Sequence, residues 1–122
     1  MNRYQIAVHK DAKQVLQLKK SVGPVLLYDY LKACIRDKMD FDATLIPDGI
    51  LEQTLVKLST EYDVPLLTGS IRRAQLLRIA YSHKSVYTPL TLPKNNLKVI
   101  CLPDVSPIPN GLKPILITKN KG

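Results

Sequence analysis

Thr68-Gly69-Ser70-Ile71-Arg72-Arg73 is the stretch whose residue types and spacing could do chemistry together. An apolar run ends there in glycine and serine, and a helical run opens with two arginines. Cations in a first helical turn are disfavoured by the helix dipole, by roughly 0.3–1 kcal/mol each, and an anion resting there reverses the penalty. Free backbone N–H groups, the Thr68 and Ser70 hydroxyls and a guanidinium able to grip two oxygens would together hold a phosphate. The segment therefore predicts a phosphate site at Thr68, Gly69 and Ser70. The plainer alternative is an N-cap serine followed by solvated or paired arginines. The glycine spacing and Gly-Lys-Ser/Thr ending of a Walker motif are absent, so nucleotide hydrolysis is not expected.

Downstream, Tyr81, His83, Lys84, Tyr87, Lys94, Asn95, Asn96 and Lys98 interleave aromatic, amide and basic groups over 18 residues. Sites for single-stranded nucleic acid combine stacking platforms with cationic tracks for the backbone. The charge distribution points the same way. From Val64 to Pro103 there are six Lys or Arg residues and no Asp or Glu, whereas the first 63 residues carry nine basic and nine acidic side chains. The whole formal charge of +8 thus lies after residue 63. One positive surface suggests a polyanionic partner.

Signals for catalysis are sparse. His9 and His83 stand 74 positions apart with no cysteine or carboxylate pattern of metal ligation around them, and no cofactor or resident metal is expected. Cys34 and Cys101 lie within apolar stretches and read as buried thiols rather than a disulfide framework. Asp11, Asp48 and Asp104 each follow an apparent strand, where carboxylates could meet at one edge of a parallel sheet around a divalent cation. Pro65-Leu66-Leu67-Thr68-Gly69 is similar to a stretch of PIN-type nucleases, which place acids at strand ends. Here Ser70 stands where that family has an acid, and the first strand lacks its internal Asp. The overlap spans five residues and assigns no family.

These residues need elements to hold them. Residues 3–8 alternate like a half-buried strand, with Tyr4, Ile6 and Val8 on one side. Asp11 could cap a short helix through Lys20. Helices are expected over 24–39, with Leu27, Leu31, Cys34 and Ile35 inward, over 49–62, and over 71–81. The last is apolar at nearly every angle, which predicts a buried, central helix. Strands are expected at 43–46, 64–68 and 97–102, followed by a Pro-rich surface loop over 103–112, an edge strand over 114–118 and a frayed basic tail over 119–122.

The order strand, helix, strand, helix, strand from 43 to 102 predicts an α/β fold: a single small domain with a short, mostly parallel sheet flanked by helices. The alternative is a winged-helix α+β domain, whose helix order 24–39, 49–62 and 70–82 the chain resembles, with residues 86–102 as the wing. No apolar run approaches the roughly 18 residues of a membrane span. The opening residues lack the apolar segment of a secretory signal, so an intracellular, cytoplasmic chain is expected.

Both architectures lead to the same functional expectation. It is a non-enzymatic nucleic-acid-binding protein, RNA or DNA, in which Arg72, Arg73, Arg78, Lys84, Lys94 and Lys98 contact phosphates and Tyr81 or Tyr87 stacks. A metal-dependent nuclease using Asp11, Asp48 and Asp104 is the enzymatic alternative. A third reading is an assembly subunit whose Pro-rich loop docks on a protein or on another copy of the chain.

Overall fold

A computed structural model of the 122-residue chain describes residues 6–10, 14–18, 24–95 and 98–119. Its elements, in chain order, are β1 (Ile6–Lys10), β2 (Gln14–Leu18), α1 (Pro24–Asp37), β3 (Asp40–Asp42), α2 (Asp48–Tyr62), β4 (Leu66–Leu67), α3 (Ile71–Ala80), β5 (Val86–Tyr87), β6 (Lys98–Cys101) and β7 (Lys113–Thr118). The seven strands form one sheet in the order β1-β2-β3-β7-β6-β4-β5. Every neighbouring pair is parallel except the β1–β2 hairpin at one edge. The fold is α/β, and the winged-helix alternative is set aside by this parallel pairing.

Handedness explains how the faces are covered. The connections β2-α1-β3, β3-α2-β4 and β4-α3-β5 all advance across the sheet in one direction, and right-handed crossovers then put all three helices on one face. The returns from β5 to β6 and from β6 to β7 run the other way and cross the opposite face as loops. Strand alternation divides the apolar side chains accordingly. Leu66, Val86, Ile100, Ile115 and Ile117 join Leu27, Leu31, Leu51, Leu55 and Leu58 in the main core beneath the helices. Leu67, Val99 and Cys101 face the other way, under Val105, Leu92, Ile108 and Leu112 from the two loops.

Helices α1 and α2 follow the sequence periodicity: Leu27, Leu31, Cys34 and Ile35 are buried, as are Leu51, Leu55 and Leu58. Each is followed by a residue in the left-handed region, Lys38 at φ 56° and Asp63 at φ 53°. Met39 N–H then returns to the Cys34 carbonyl and Val64 N–H to the Ser59 carbonyl, satisfying the last turns. Ser70 caps α3, its hydroxyl accepting from Arg73 N–H at 3.2 Å. Both cysteines are free and buried, and burial pushes the Cys34 thiol up to about 12 and Cys101 up to about 11.

Several sequence expectations need correction. The helix expected from Asp11 to Lys20 is replaced, over Gln14–Leu18, by a strand paired on both sides, with β1 and with β3. Pairing on two sides outweighs a weak local helix preference. Residues 1–5, 11–13, 19–23, 96, 97 and 120–122 lie outside the described residues, among them Asp11, the end of the helix expected through Lys20 and most of the expected 119–122 tail. The strand expected at 43–46 ends instead at Asp42, whose carboxylate accepts from Thr44 N–H at 2.9 Å and turns the chain. Helix α3 is not central: among its residues Ala74 and Leu77 are buried, while Ile71, Leu76 and Ile79 are exposed. Strand β7, expected at an edge, lies inside the sheet between β3 and β6. Among the described residues no helix is long and apolar enough to cross a membrane.

Candidate functional site

In an open parallel sheet, ligands bind beyond the carboxyl ends of the strands where successive connections leave in opposite directions. Here that point lies between β4, whose chain departs through α3 on the helix face, and β6, whose chain departs through the loop on the other face. The two strand ends supply Thr68-Gly69-Ser70 and Leu102-Pro103-Asp104. The segment singled out for phosphate binding therefore sits at the topologically favoured position.

The crevice carries an anion of its own. Thr68, fully buried, donates its hydroxyl to Asp104 Oδ2 at 2.5 Å. Arg73 Nη1 stands 4.0 Å from the same carboxylate oxygen, while Arg73 Nε and Nη2 both donate to Glu52 Oε2, at 3.1 and 2.8 Å. The backbone is tight here as well. A Cβ on Gly69 would collide with the Asp104 carbonyl oxygen, so only glycine lets the two strand-end loops touch. An arriving phosphate would have to compete with Asp104 for Thr68 and with two carboxylates for Arg73. Neighbouring Asp48 is held by Lys119, whose ammonium donates to it at 2.5 Å and to the Ile46 carbonyl at 2.7 Å. The hydrogen bond from Lys119 lowers the Asp48 carboxyl below its ordinary value. Asp48 and Asp104 thus share the carboxyl-end edge, each beside a cation, and no group of three or more metal-ligating side chains exists among the described residues.

The remaining cations assemble at the opposite edge, where the parallel strands begin. Lys98 and Lys113 are direct register partners in β6 and β7. Ile100, Leu66 and Val86 are in register across β6, β4 and β5, so two positions upstream the row continues through Val64 to Lys84. Lys84, Lys98 and Lys113 are all exposed. At strand spacings near 4.8 Å the row spans about 15 Å. Lys94, also exposed, lies in the turn leading to β6. Arg78, in the last turn of α3, donates from Nε and Nη2 to the Lys84 carbonyl at 3.2 and 3.0 Å, and its guanidinium lies 5.7 Å from the Tyr87 ring centre. Among the described residues, no carboxylate lies within ion-pair distance of Arg78, Lys84, Lys94, Lys98 or Lys113. Glu61, at the same end of α2, accepts from the Tyr28 hydroxyl and pushes that phenol up to about 12.

The structure therefore divides the residues that the sequence grouped. Arg72 and Arg73 stand with Thr68, Gly69 and Ser70 at the carboxyl-end edge; Arg78, Lys84, Lys94 and Lys98 stand with the strand beginnings. Tyr81 packs against the main core and Tyr87 against the smaller one beneath Arg78. Lys113 and Glu52 were not among the sequence candidates. Lys113 lies outside the acid-free stretch, and only the β6–β7 register brings it beside Lys98.

No protein-family model matches this chain, and no curated protein or solved structure is significantly similar to it. Function has to be read from the chain's own residues.

Proposed function

We propose that this domain binds nucleic acid without cleaving it, through the lysine row at the amino-terminal edge of the sheet. The carrying observation is that Lys84, Lys98 and Lys113 share one register level, with Lys94 and Arg78 nearby and no carboxylate partner among the described residues. Five cations at such spacing meet successive phosphates of a strand, which supplies affinity and orientation but little sequence reading. Arg72 lies away from this rim and Arg73 is already paired, so neither belongs to the proposed contact set.

Anisotropy titrations with single- and double-stranded RNA and DNA at about 50 and 200 mM salt test the reading. Five phosphate contacts predict a loss of roughly 100-fold for single strands and several hundred-fold for duplexes across that range. The Lys84→Ala/Lys98→Ala/Lys113→Ala variant should flatten the salt dependence to about two contacts, and Arg72→Ala should leave it unchanged. Absence of binding to all four at about 50 mM removes the proposal. Magnesium- or manganese-dependent cleavage abolished by Asp104→Asn would replace it with the nuclease reading.

A further inference from the structure

The lysine row has one gap. Between Lys84 and Lys98 the register level is filled by Val64, which is buried, so the two cations stand about 10 Å apart at ordinary strand spacing. His83 is the titratable side chain beside that gap. The end of α3 fixes its backbone: Ser82 takes φ 49°, its N–H returns to the Ile79 carbonyl, and His83 N–H returns to the Arg78 carbonyl at 3.1 Å. This is the pattern that closes a helix through a left-handed residue. The half-buried ring then lies against the last turn of α2, with Nε2 2.8 Å from Ser59 Oγ and Nδ1 3.3 Å from Thr60 Oγ1. Ser59 Oγ donates to the Val64 carbonyl at 2.6 Å, so one hydroxyl separates the imidazole from the residue that interrupts the row.

The surroundings of the ring accommodate either protonation state. Each hydroxyl has a backbone carbonyl to donate to, Val64 for Ser59 and Val56 for Thr60, so both can also accept from the ring. An imidazolium offers two N–H groups where a neutral ring offers one. Burial nevertheless lowers the His83 pKa below 6.5 and keeps the ring neutral near pH 7. The elements packed against it supply no counter-charge. Arg78 on α3 and Lys84 in the following turn are cations, and Tyr81 and Tyr87 are packed on the two cores. On α2, Glu61 accepts from the Tyr28 hydroxyl, Lys57 stands over the Tyr28 ring, Tyr62 ends the helix and Asp63 follows it; β4 brings no titratable group. No carboxylate lies within ion-pair distance of His83 among the described residues. A phosphate held between Lys84 and Lys98 would bring negative charge to this side of the ring and favour the imidazolium. We infer that His83 is a conditional member of the cationic row, neutral in the free protein and protonated when a phosphate bridges Lys84 and Lys98, so that the row holds its polyanion more tightly as pH falls. This coupling rests on the nucleic-acid role proposed for the row. A complex that takes up a proton gains affinity as pH falls through the bound-state pKa and gains no more below the free-state one.

Anisotropy titrations of the full chain at about pH 5.5 and 7.5 test this, with oligothymidylate, oligouridylate and an adenine–thymine duplex, none of which titrates in that range. The wild type should bind at least about fivefold tighter at the lower pH, as a pKa difference approaching one unit between free and bound states requires. Its salt dependence should steepen there by about one phosphate contact. His83→Gln, its fold checked by circular dichroism, should show one affinity at both pH values, whereas His9→Gln should keep the wild-type dependence. Imidazole NMR of the wild type measures the same coupling without a substitution: the bound oligonucleotide should raise the His83 pKa. Equal affinity at both pH values, a dependence that survives in His83→Gln, or a His83 pKa unmoved by the oligonucleotide overturns the inference and leaves the lysine row standing. Absence of binding to all three probes at about 50 mM salt removes the row as a nucleic-acid site, and the inference with it.

Discussion

Asp104 decides how the Thr68–Arg73 segment behaves. A strand ending in Thr-Gly-Ser before a helix with two arginines invites an outside anion, yet a carboxylate 36 positions downstream reaches the Thr68 hydroxyl and the Arg73 guanidinium. Nothing local in the sequence announces that contact. Gly69 is where the two strand-end loops meet, so Gly69→Ala should cost about 1–3 kcal/mol by forcing backbone against backbone. Gly49, within α2, has open space around it, and Gly49→Ala should stabilise by about 0.5–1 kcal/mol through unfolded-state entropy and helix propensity. Opposite shifts in urea midpoint at constant slope check the pair. His83 gives a pH signature. His83 sits between two hydroxyls, with Nε2 2.8 Å from Ser59 Oγ and Nδ1 3.3 Å from Thr60 Oγ1, and burial lowers its pKa below the ordinary 6.5. A lowered folded-state pKa means the contribution is complete above pH 6.5 and is lost as pH falls through the folded value. Urea stability should therefore decline below pH 6.5, and His83→Gln should remove that part of the slope.

The elements show where periodicity suffices and where it does not. Helices α1 and α2 were legible because each has one apolar and one polar side, a pattern that fixes the buried face without knowledge of the partner. Helix α3 was legible as a helix but not in its position, because apolar residues on all sides do not say which side this chain covers. Strand β7 was misplaced for a different reason. Proline is excluded from strands bonded on both sides, so Pro114 pointed to an edge. In the sheet β3 reaches β7 only at Ile117 and Thr118, and Asp40 Oδ1 accepts Leu116 N–H at 3.1 Å just before that contact. Pro114 is therefore edge-like inside an interior strand, a distinction carried by register rather than sequence. The unequal cover of the two faces has an energetic consequence. Leu55→Ala, beneath the helices, should cost about 2–5 kcal/mol. Ile108→Ala should cost less than about 1.5 kcal/mol, because that side chain is only partly buried and its loop can relax over the space left. Chemical denaturation of the two variants side by side measures the difference.

For the whole molecule, the charge asymmetry visible in the sequence is real in composition but splits in space, since strand direction sends Arg72 and Arg73 to one edge and the lysines to the other. The lysine row is an arrangement that folding alone does not favour. Like charges directly opposite on neighbouring strands are destabilising, by roughly 0.2–1 kcal/mol per pair. Lys98 and Lys113 form such a pair, and Lys84 extends the row. Replacing all three by alanine should therefore leave the free protein as stable as the wild type, or raise its melting temperature by a few degrees, since for a domain of this size about 1 kcal/mol corresponds to roughly 4 °C. Ligand binding should have the reverse ranking. An oligonucleotide at about 100 times its dissociation constant contributes roughly 2.7 kcal/mol to the wild type and almost nothing to the triple variant. Calorimetric melting with and without a single-stranded oligonucleotide at low salt reads both quantities on the same samples. A lysine row that exists for the fold would lower the free melting temperature when removed. A row that exists for a polyanion would leave or raise it and abolish the ligand-induced shift, and this second pattern is the expected one.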